Sequence, residues 1–282
     1  MGHAVKESLC IRFLYKTKPG RVILKVMVNP FISKCAALFL SSAFSKPLIG
    51  PFVRRHHIRL EDCLIPQEGF RSFNDFFTRK RKTDFSHLPD DSLICPCDGL
   101  LSRFPITKNA SFRIKNTRYR LDELLGDTHL AQQFENGIIC IFRLTPEDYH
   151  RYCYATAGRI AGTKRINGVL HCIRPVAQTA VPVYVQNSRT YQVVETRDYG
   201  LMIQMEIGAL LVGRIRNIPK KTGQVVATGQ EKGFFSFGGS TIVLLFQEEV
   251  ALLMPEVFKT TACSRETRVR MGDPLLMYHS GR

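Results

Sequence analysis

Two glycines and two hydroxyl residues, Gly238-Gly239-Ser240-Thr241, stand between an aromatic run (Phe234-Phe235-Ser236-Phe237) and an apolar one (Ile242-Val243-Leu244-Leu245-Phe246). Glycine permits positive φ and close approach of other groups. Ser240 therefore follows a peptide carbonyl, that of Gly239, with no Cβ to shield it. The pattern suits attack of the Ser240 hydroxyl on that carbonyl, an N-to-O acyl shift. The ester so formed can eliminate, and hydrolysis then leaves a pyruvoyl group at a new N-terminus. A plain Gly-Gly turn at a strand start explains the tetrad taken alone, so the chemistry depends on what the rest of the chain supplies.

Three other segments hold suitable groups. Cys95-Pro96-Cys97-Asp98-Gly99 puts a carboxylate in a Pro/Gly turn. Thr145-Pro146-Glu147-Asp148-Tyr149-His150-Arg151 follows an apolar stretch. Thr145 at N-cap, Pro146 at N1 and Asp148 at N3 predict a short helical turn that projects His150. Gly168-Val169-Leu170-His171 ends a short apolar run on a second histidine. Each residue alone reads as structural: Asp98 as a turn residue, His150 and His171 as hydrogen-bonded histidines. Together they are a self-processing serine's requirements: a base, a carboxylate to orient it, and a proton donor.

The elements that must position these groups divide unevenly. The chain has 282 residues and a net charge of +16, and residues 1–60 carry eleven Lys/Arg against Glu7 alone. Ten of the sixteen net charges thus lie in about a fifth of the chain, which implies an anionic partner, phosphate backbone or lipid. Nine cysteines, an odd number without zinc-finger spacing, suggest a reducing compartment, no disulfide framework and no metal. No run reaches the roughly 18 apolar residues of a membrane span. The basic N-terminus also has the look of a transit peptide, although it carries its own helix punctuation.

Leu24, Met27 and Val28 recur at helical spacing, and Asn29-Pro30 then starts a second helix with Phe31, Cys35, Leu38 and Phe39 on one face. That pair is either core packing or an interfacial helix on anionic lipid. Ser72-Phe73-Asn74-Asp75 resembles a capping box. It predicts a helix with Phe73, Phe76 and Phe77 on one face, ending in Arg79-Lys80-Arg81-Lys82. After a soft boundary near residue 90, the stretches 137–143, 181–185, 191–195, 201–206 and 241–246 read as strands. The expected fold is α+β: a helical, basic N-terminal region (1–90) packed on a mainly antiparallel β catalytic domain (91–282).

Taken together, these segments resemble the phosphatidylserine decarboxylase family. The resemblance runs through Phe73-Asn74-Asp75-Phe76-Phe77-Thr78-Arg79, Pro96-Cys97-Asp98-Gly99, Asp148-Tyr149-His150-Arg151-Tyr152 and Gly168-Val169-Leu170-His171. It continues through Asn187-Ser188-Arg189, Glu206-Ile207-Gly208-Ala209, Val212-Gly213-Arg214-Ile215 and Glu231-Lys232-Gly233 into Gly238-Gly239-Ser240-Thr241. The resemblance implies a proenzyme that cleaves itself between Gly239 and Ser240. The products would be chains 1–239 and 240–282, held together as a heterodimer, with Ser240 becoming a covalent pyruvoyl cofactor. That carbonyl would form a Schiff base with phosphatidylserine, and loss of CO₂ would give phosphatidylethanolamine.

By the same resemblance Asp98, His150 and Ser240 are the catalytic residues. The better-known branch has a second histidine where this chain has Cys153. An ordinary thiol ionises only near pH ~8.5, so His171 and Cys153 both stay open as further proton-transfer groups beside His150. Tyr152-Cys153-Tyr154 and Val169-Leu170-His171 look like a clostridial-type branch. Arg151, Asn187 and Arg214 are headgroup candidates by resemblance only. The implied setting is the cytoplasmic face of a bacterial membrane, with phosphatidylserine as partner and a higher oligomer left open. The competing readings are an impaired homologue that binds lipid or nucleic acid through its basic N-terminus, and a decarboxylase of a soluble amino acid.

Overall fold

Thr17-Lys18-Pro19 and Asn29-Pro30 punctuate the N-terminal region as helix capping requires. The structure is a computed structural model that describes residues 9–85, 87–89, 91–114, 117–210, 215–237, 240–254 and 266–276. Helices α1 (Leu9–Lys16), α2 (Lys18–Met27) and α3 (Pro30–Ser41) follow one another. Thr17 accepts from the Gly20 N–H at 3.0 Å, and Asn29 from the Phe31 N–H at 2.9 Å. α2 and α3 meet at 65°, and among the described residues no single helix is long and apolar enough to cross a membrane. A 3₁₀ turn (Ala43–Leu48) leads into α4 (Ile49–His56).

Next come β1 (Cys63–Leu64), α5 (Phe73–Phe77) and β2 (Lys80–Arg81). Ser72 caps α5, accepting from the Asp75 N–H at 3.1 Å, and Phe73, Phe76 and Phe77 are buried as their spacing predicts. Only half of the capping box forms, because Asp75 accepts from the Arg71 N–H instead of from Ser72. The basic run departs from its expected place. The Thr78 hydroxyl donates to the Asn74 carbonyl at 2.8 Å where α5 ends. Lys80 and Arg81 then run extended against β1, so they leave the helix end, while Arg79 stays there and donates from Nη1 to the Phe76 carbonyl at 3.5 Å.

The rest of the chain is β3 (Gly99–Pro105), β4 (Ser111–Ile114), β5 (Thr117–Arg120), α6 (Leu121–Leu125), α7 (Thr128–Gln132) and β6 (Ile138–Leu144). There follow β7 (Arg151–Cys153), β8 (Gly158–Ile166), α8 (Pro175–Gln178), α9 (Val183–Gln186), β9 (Arg189–Thr196) and β10 (Leu201–Ile207). Last are β11 (Ile215–Asn217), β12 (Val225–Val226), β13 (Glu231–Phe235), β14 (Ser240–Phe246), α10 (Glu248–Leu252) and β15 (Thr267–Val269). An eight-stranded antiparallel sheet has the order β12-β8-β9-β10-β14-β6-β3-β15, and β11-β13-β7 form a second antiparallel sheet. The α+β expectation holds.

β14 is interior, as its sequence predicts, and every residue in it is buried. Covered on both faces, such a strand reads as an unbroken apolar run and not as an alternation. Ile139, Val243 and Leu245 face one core; Phe142, Leu244 and Phe246 face the other. The stretch 181–185, expected as a strand, is instead the short helix α9 following Pro182. Periodicity cannot separate helix from strand over so short an apolar run.

Candidate active site

Ser240 opens β14 in register with Leu144 at the end of β6, while Thr241 faces Ile207 at the end of β10. Ser240 is fully buried, and among the described residues its Oγ has no hydrogen-bond partner. A buried hydroxyl without a partner costs about 1–3 kcal/mol, and the neighbouring Thr241 Oγ1 is in the same state among the described residues. Gly239, the other half of the expected cleavage site, lies outside the described residues, as does Gly238.

The segment upstream of the glycines is held from two sides. The Phe235 N–H donates to the His150 carbonyl at 2.9 Å, and the Phe237 N–H donates to Asn74 Oδ1 at 3.1 Å. The Phe237 ring sits edge-on to Phe73 and Phe77, at 4.9 and 5.0 Å. Phe77 in turn lies 4.1 Å from the His150 ring. The cluster predicted from Phe73, Phe76 and Phe77 is thus a platform under the Ser236–Phe237 end, and one of its rings touches the histidine.

His150 is fully buried on the connection between β6 and β7. Its Nδ1 lies 2.9 Å from the Asp148 carbonyl. A carbonyl only accepts, so Nδ1 carries the proton and Nε2 is the basic nitrogen of the neutral ring. The expected turn at Thr145 forms as a single hydrogen-bonded turn, the Asp148 N–H donating to the Thr145 carbonyl at 3.0 Å, and does not go on into a helix. The Thr145 N–H and hydroxyl both donate to Asp148 Oδ2 at 2.6 Å, reversing the N-cap polarity and folding the carboxylate back into a tight loop. Arg268 completes that loop, donating to Asp148 Oδ1 at 2.5 Å. Burial still pushes the Asp148 carboxyl above the usual range.

Asp98 lies two strands from Ser240, since Gly99 pairs beside β6 at the level of Leu144 and Arg143. Its carboxylate is committed: Arg81 Nη1 sits 2.7 Å from Oδ2, and the Met271 N–H donates to Oδ1 at 3.0 Å. Gly99 has φ of +152°, and a Cβ there would stand 2.9 Å from the Arg143 carbonyl, so only glycine lets Asp98 approach β6 this closely. Cys153 packs beside the same motif. Its thiol is oriented at the Pro96 carbonyl 3.6 Å away, and burial pushes its pKa far up. His171 is half-buried and engages the Tyr15 hydroxyl of α1 at 3.2 Å, with burial lowering its pKa.

The headgroup candidates are equally occupied. Asn187 is fully buried and donates to the carbonyls of His171 and Gly208 at 2.9 and 2.8 Å. Arg151 pairs with Glu231, donates to the Thr78 carbonyl at 2.8 Å and lies over the Phe234 ring. Arg214 lies outside the described residues. A cavity of about 820 Å³ reaches Ser236, just upstream of the two glycines, and is bounded also by Ser33 and Leu38 of α3, Asn74, Gly168 and Gly208. That is ample for a headgroup, within the roughly 300–1,000 Å³ usual for ligand pockets.

The comparisons with known proteins decide the family. Residues 73–277 match the family model described as phosphatidylserine decarboxylase. The chain is 40% identical over 269 residues to the phosphatidylserine decarboxylase proenzyme 2 of Clostridium acetobutylicum, covering 94% of this chain and 90% of that one. It is 38% identical to the phosphatidylserine decarboxylase proenzyme of Chlamydia muridarum, covering 97% and 94%. The proenzyme of Ruminiclostridium cellulolyticum is 35% identical, with 93% and 89% covered. The chain belongs to the phosphatidylserine decarboxylase family. It is a family of decarboxylases, which are carboxy-lyases.

Sequence reasoning missed three members of the site: Arg81 on Asp98, Arg268 on Asp148, and Asn74 on Phe237. Asn74 was visible inside a family motif but without a role. Arg81 was visible only as one cation in a run.

Proposed function

We propose that this protein is a phosphatidylserine decarboxylase made as a proenzyme, which cleaves itself between Gly239 and Ser240 and decarboxylates phosphatidylserine to phosphatidylethanolamine. The observation that carries the reading is Ser240 itself: buried, its Oγ without a partner among the described residues, at the head of a central strand directly after the two glycines. Ser240 Oγ attacks the Gly239 carbonyl while His150 Nε2 takes its proton. The Gly239–Ser240 C–N bond then breaks, and the nitrogen is protonated. The ester eliminates the Gly239 carboxylate with loss of the Ser240 Cα proton, and water finally replaces the nitrogen, which leaves as ammonia.

The residues fit the resulting pyruvoyl group. Conversion would make a ketone of the Ser240 Cα and a methyl of its Cβ, and loss of the hydroxyl removes no side-chain hydrogen bond among the described residues. A pyruvoyl carbonyl supplies an electron sink for loss of CO₂ from an attached amine. The chain's own part is to exclude water through the Phe73–Phe77–Phe237 cluster and to hold a proton at His150 Nε2 for return to the substrate. Asp98 acts at one remove, fixing Arg81 and the Met271 backbone, while Cys153 stays protonated.

A membrane-peripheral setting is supported by the exposed apolar side chains of α2 and α3 (Val22, Ile23, Val26, Phe31, Leu38 and Phe39), interspersed with Lys18, Arg21, Lys25 and Lys34. Apolar burial and cationic attraction to anionic lipid add on such a face.

The test is the intact mass of the purified protein beside a Ser240→Ala control. Two chains split before residue 240, the smaller carrying a carbonyl in place of its amine, are expected, together with an uncleaved control. A single unmodified folded wild-type chain would overturn the proposal.

A further inference from the structure

The 820 Å³ cavity has a charge pattern that the self-cleavage chemistry does not use. Its lining contains no Asp or Glu and four cations: Arg189, which is buried and donates to the backbone carbonyls of Glu123, Leu124, Val185 and Asn187, and a further three, Lys34, Arg165 and Arg216. These last three cations are exposed, and none makes an ion pair with a described residue. Arg81, Arg143, Arg151, Lys232 and Arg268, by contrast, each have a carboxylate partner. A second observation points the same way: Ser33 lines this cavity from α3, is fully buried, and its Oγ has no partner among the described residues.

Three cations around one concavity with no carboxylate partner among the described residues attract an anion, and the Ser33 hydroxyl, likewise without a described partner, can donate to an anionic oxygen. The lining combines two kinds of surface. Leu38 lines the cavity yet is 74% exposed, on the same helix as the exposed Phe31 and Phe39, and Ser236 and Gly208, which flank the start of β14 and the end of β10, line it too. A ligand that spans it has an apolar end at α3 and a reactive end near Ser240.

We infer that Lys34, Arg165 and Arg216, with the Ser33 hydroxyl, form a cradle for the phosphodiester of a lipid headgroup. The cradle lets the acyl chains remain on the apolar face of α3 while the serine amine reaches Ser240. The inference rests on the decarboxylase reading and assigns its selectivity: free serine lacks the phosphodiester and gains nothing from these cations. Because the phosphodiester is held the same way before and after CO₂ leaves, the cradle provides uniform binding, which sets KM and not kcat.

The experiment is titration of Ser240→Ala protein, which cannot process itself, with dihexanoyl-phosphatidylserine kept monomeric, so that attraction to a charged bilayer plays no part. Inorganic phosphate and free serine serve as comparison ligands. Arg165→Gln with Arg216→Gln is expected to weaken lipid binding at least roughly ten-fold, the loss of one or more charge-assisted hydrogen bonds. The Arg165→Lys, Arg216→Lys protein should recover much of it. In the self-processing protein the Gln pair should raise KM for the same monomeric lipid by a similar factor.

Three results would overturn the cradle: no saturable lipid binding by the parent, binding by the Gln pair within roughly two-fold of the parent's, or inorganic phosphate binding as tightly as the lipid. A wild-type chain that fails to process itself removes the decarboxylase reading instead, and the titration still judges the cradle.

Discussion

His150 and Cys153 sit three residues apart on one segment, yet their surroundings assign them opposite behaviour. His150 has Nδ1 on a backbone carbonyl and Nε2 as its basic nitrogen. Cys153 directs its thiol at Pro96 and is kept protonated by burial. His150→Gln should therefore slow self-cleavage about 10²–10⁴-fold, the usual worth of a positioned general base, whereas Cys153→Ser should stay within roughly three-fold. A gel time course of the 240–282 fragment measures both, and a cleavage-dead Cys153→Ser protein would reverse the assignment.

The buried thiols also set an alkaline limit. Burial pushes Cys95 and Cys140 up to about 12, and Cys97 and Cys153 are raised as well. In the unfolded chain thiols ionise near ~8.5, so above that pH the folded state binds more protons than the unfolded one. Stability then falls as pH rises from about 8.5 toward 12. Melting temperature in reductant should drop between about pH 9 and 11, and a flat profile there would contradict the thiol assignments. Ser240, Asp98 and His150 were legible in the sequence because each lies in a short local pattern. Their partners were not: Arg268 meets Asp148 across 120 positions and Met271 meets Asp98 across 173, distances at which no local pattern operates.

Among the elements, α3 carries an exposed apolar face that the proposed membrane setting would use. Asn29-Pro30 made its start readable, and the face of Phe31, Leu38 and Phe39 was readable by period. The sequence left open whether that face meets a core or a bilayer, because an apolar stripe looks the same in both cases. In the fold it is exposed, at 66%, 74% and 53% for the three residues. Replacing all three with Ser should change folding stability by less than roughly 2 kcal/mol, since surface substitutions rarely exceed about 0.5 each. It should nonetheless abolish co-sedimentation with phosphatidylserine-containing vesicles. A large fall in melting temperature would show the face to be packed after all. α9 and the Thr145 loop illustrate the opposite limit: elements of four or five residues are decided by tertiary contacts such as Arg268 on Asp148, which local propensity does not encode.

At the scale of the molecule, the proposed cut divides the large sheet without opening it. β14 keeps its pairing with β10 and β6, and β15 keeps its pairing with β3. Arg143 holds Glu266 through two hydrogen bonds at 2.8 and 2.7 Å, and Arg103 donates to the Leu275 carbonyl at 3.1 Å. The two products should co-purify and separate only in denaturant. Refolding should then differ from that of uncleaved Ser240→Ala: the control regains structure at a rate independent of concentration, while the cleaved pair recovers more slowly on dilution. Concentration-independent recovery of the cleaved pair would mean that β14 does not tie the two chains together. The pairing of β14 also bears on how the protein is made. Ser240 meets Leu144 and the end of β10 only when a strand from the last fifth of the chain has inserted between two made earlier. On the proposed chemistry, the reactive group arises only in chains that have completed this insertion. Maturation thereby acts as a proofreading step on folding, and a misassembled copy stays chemically silent.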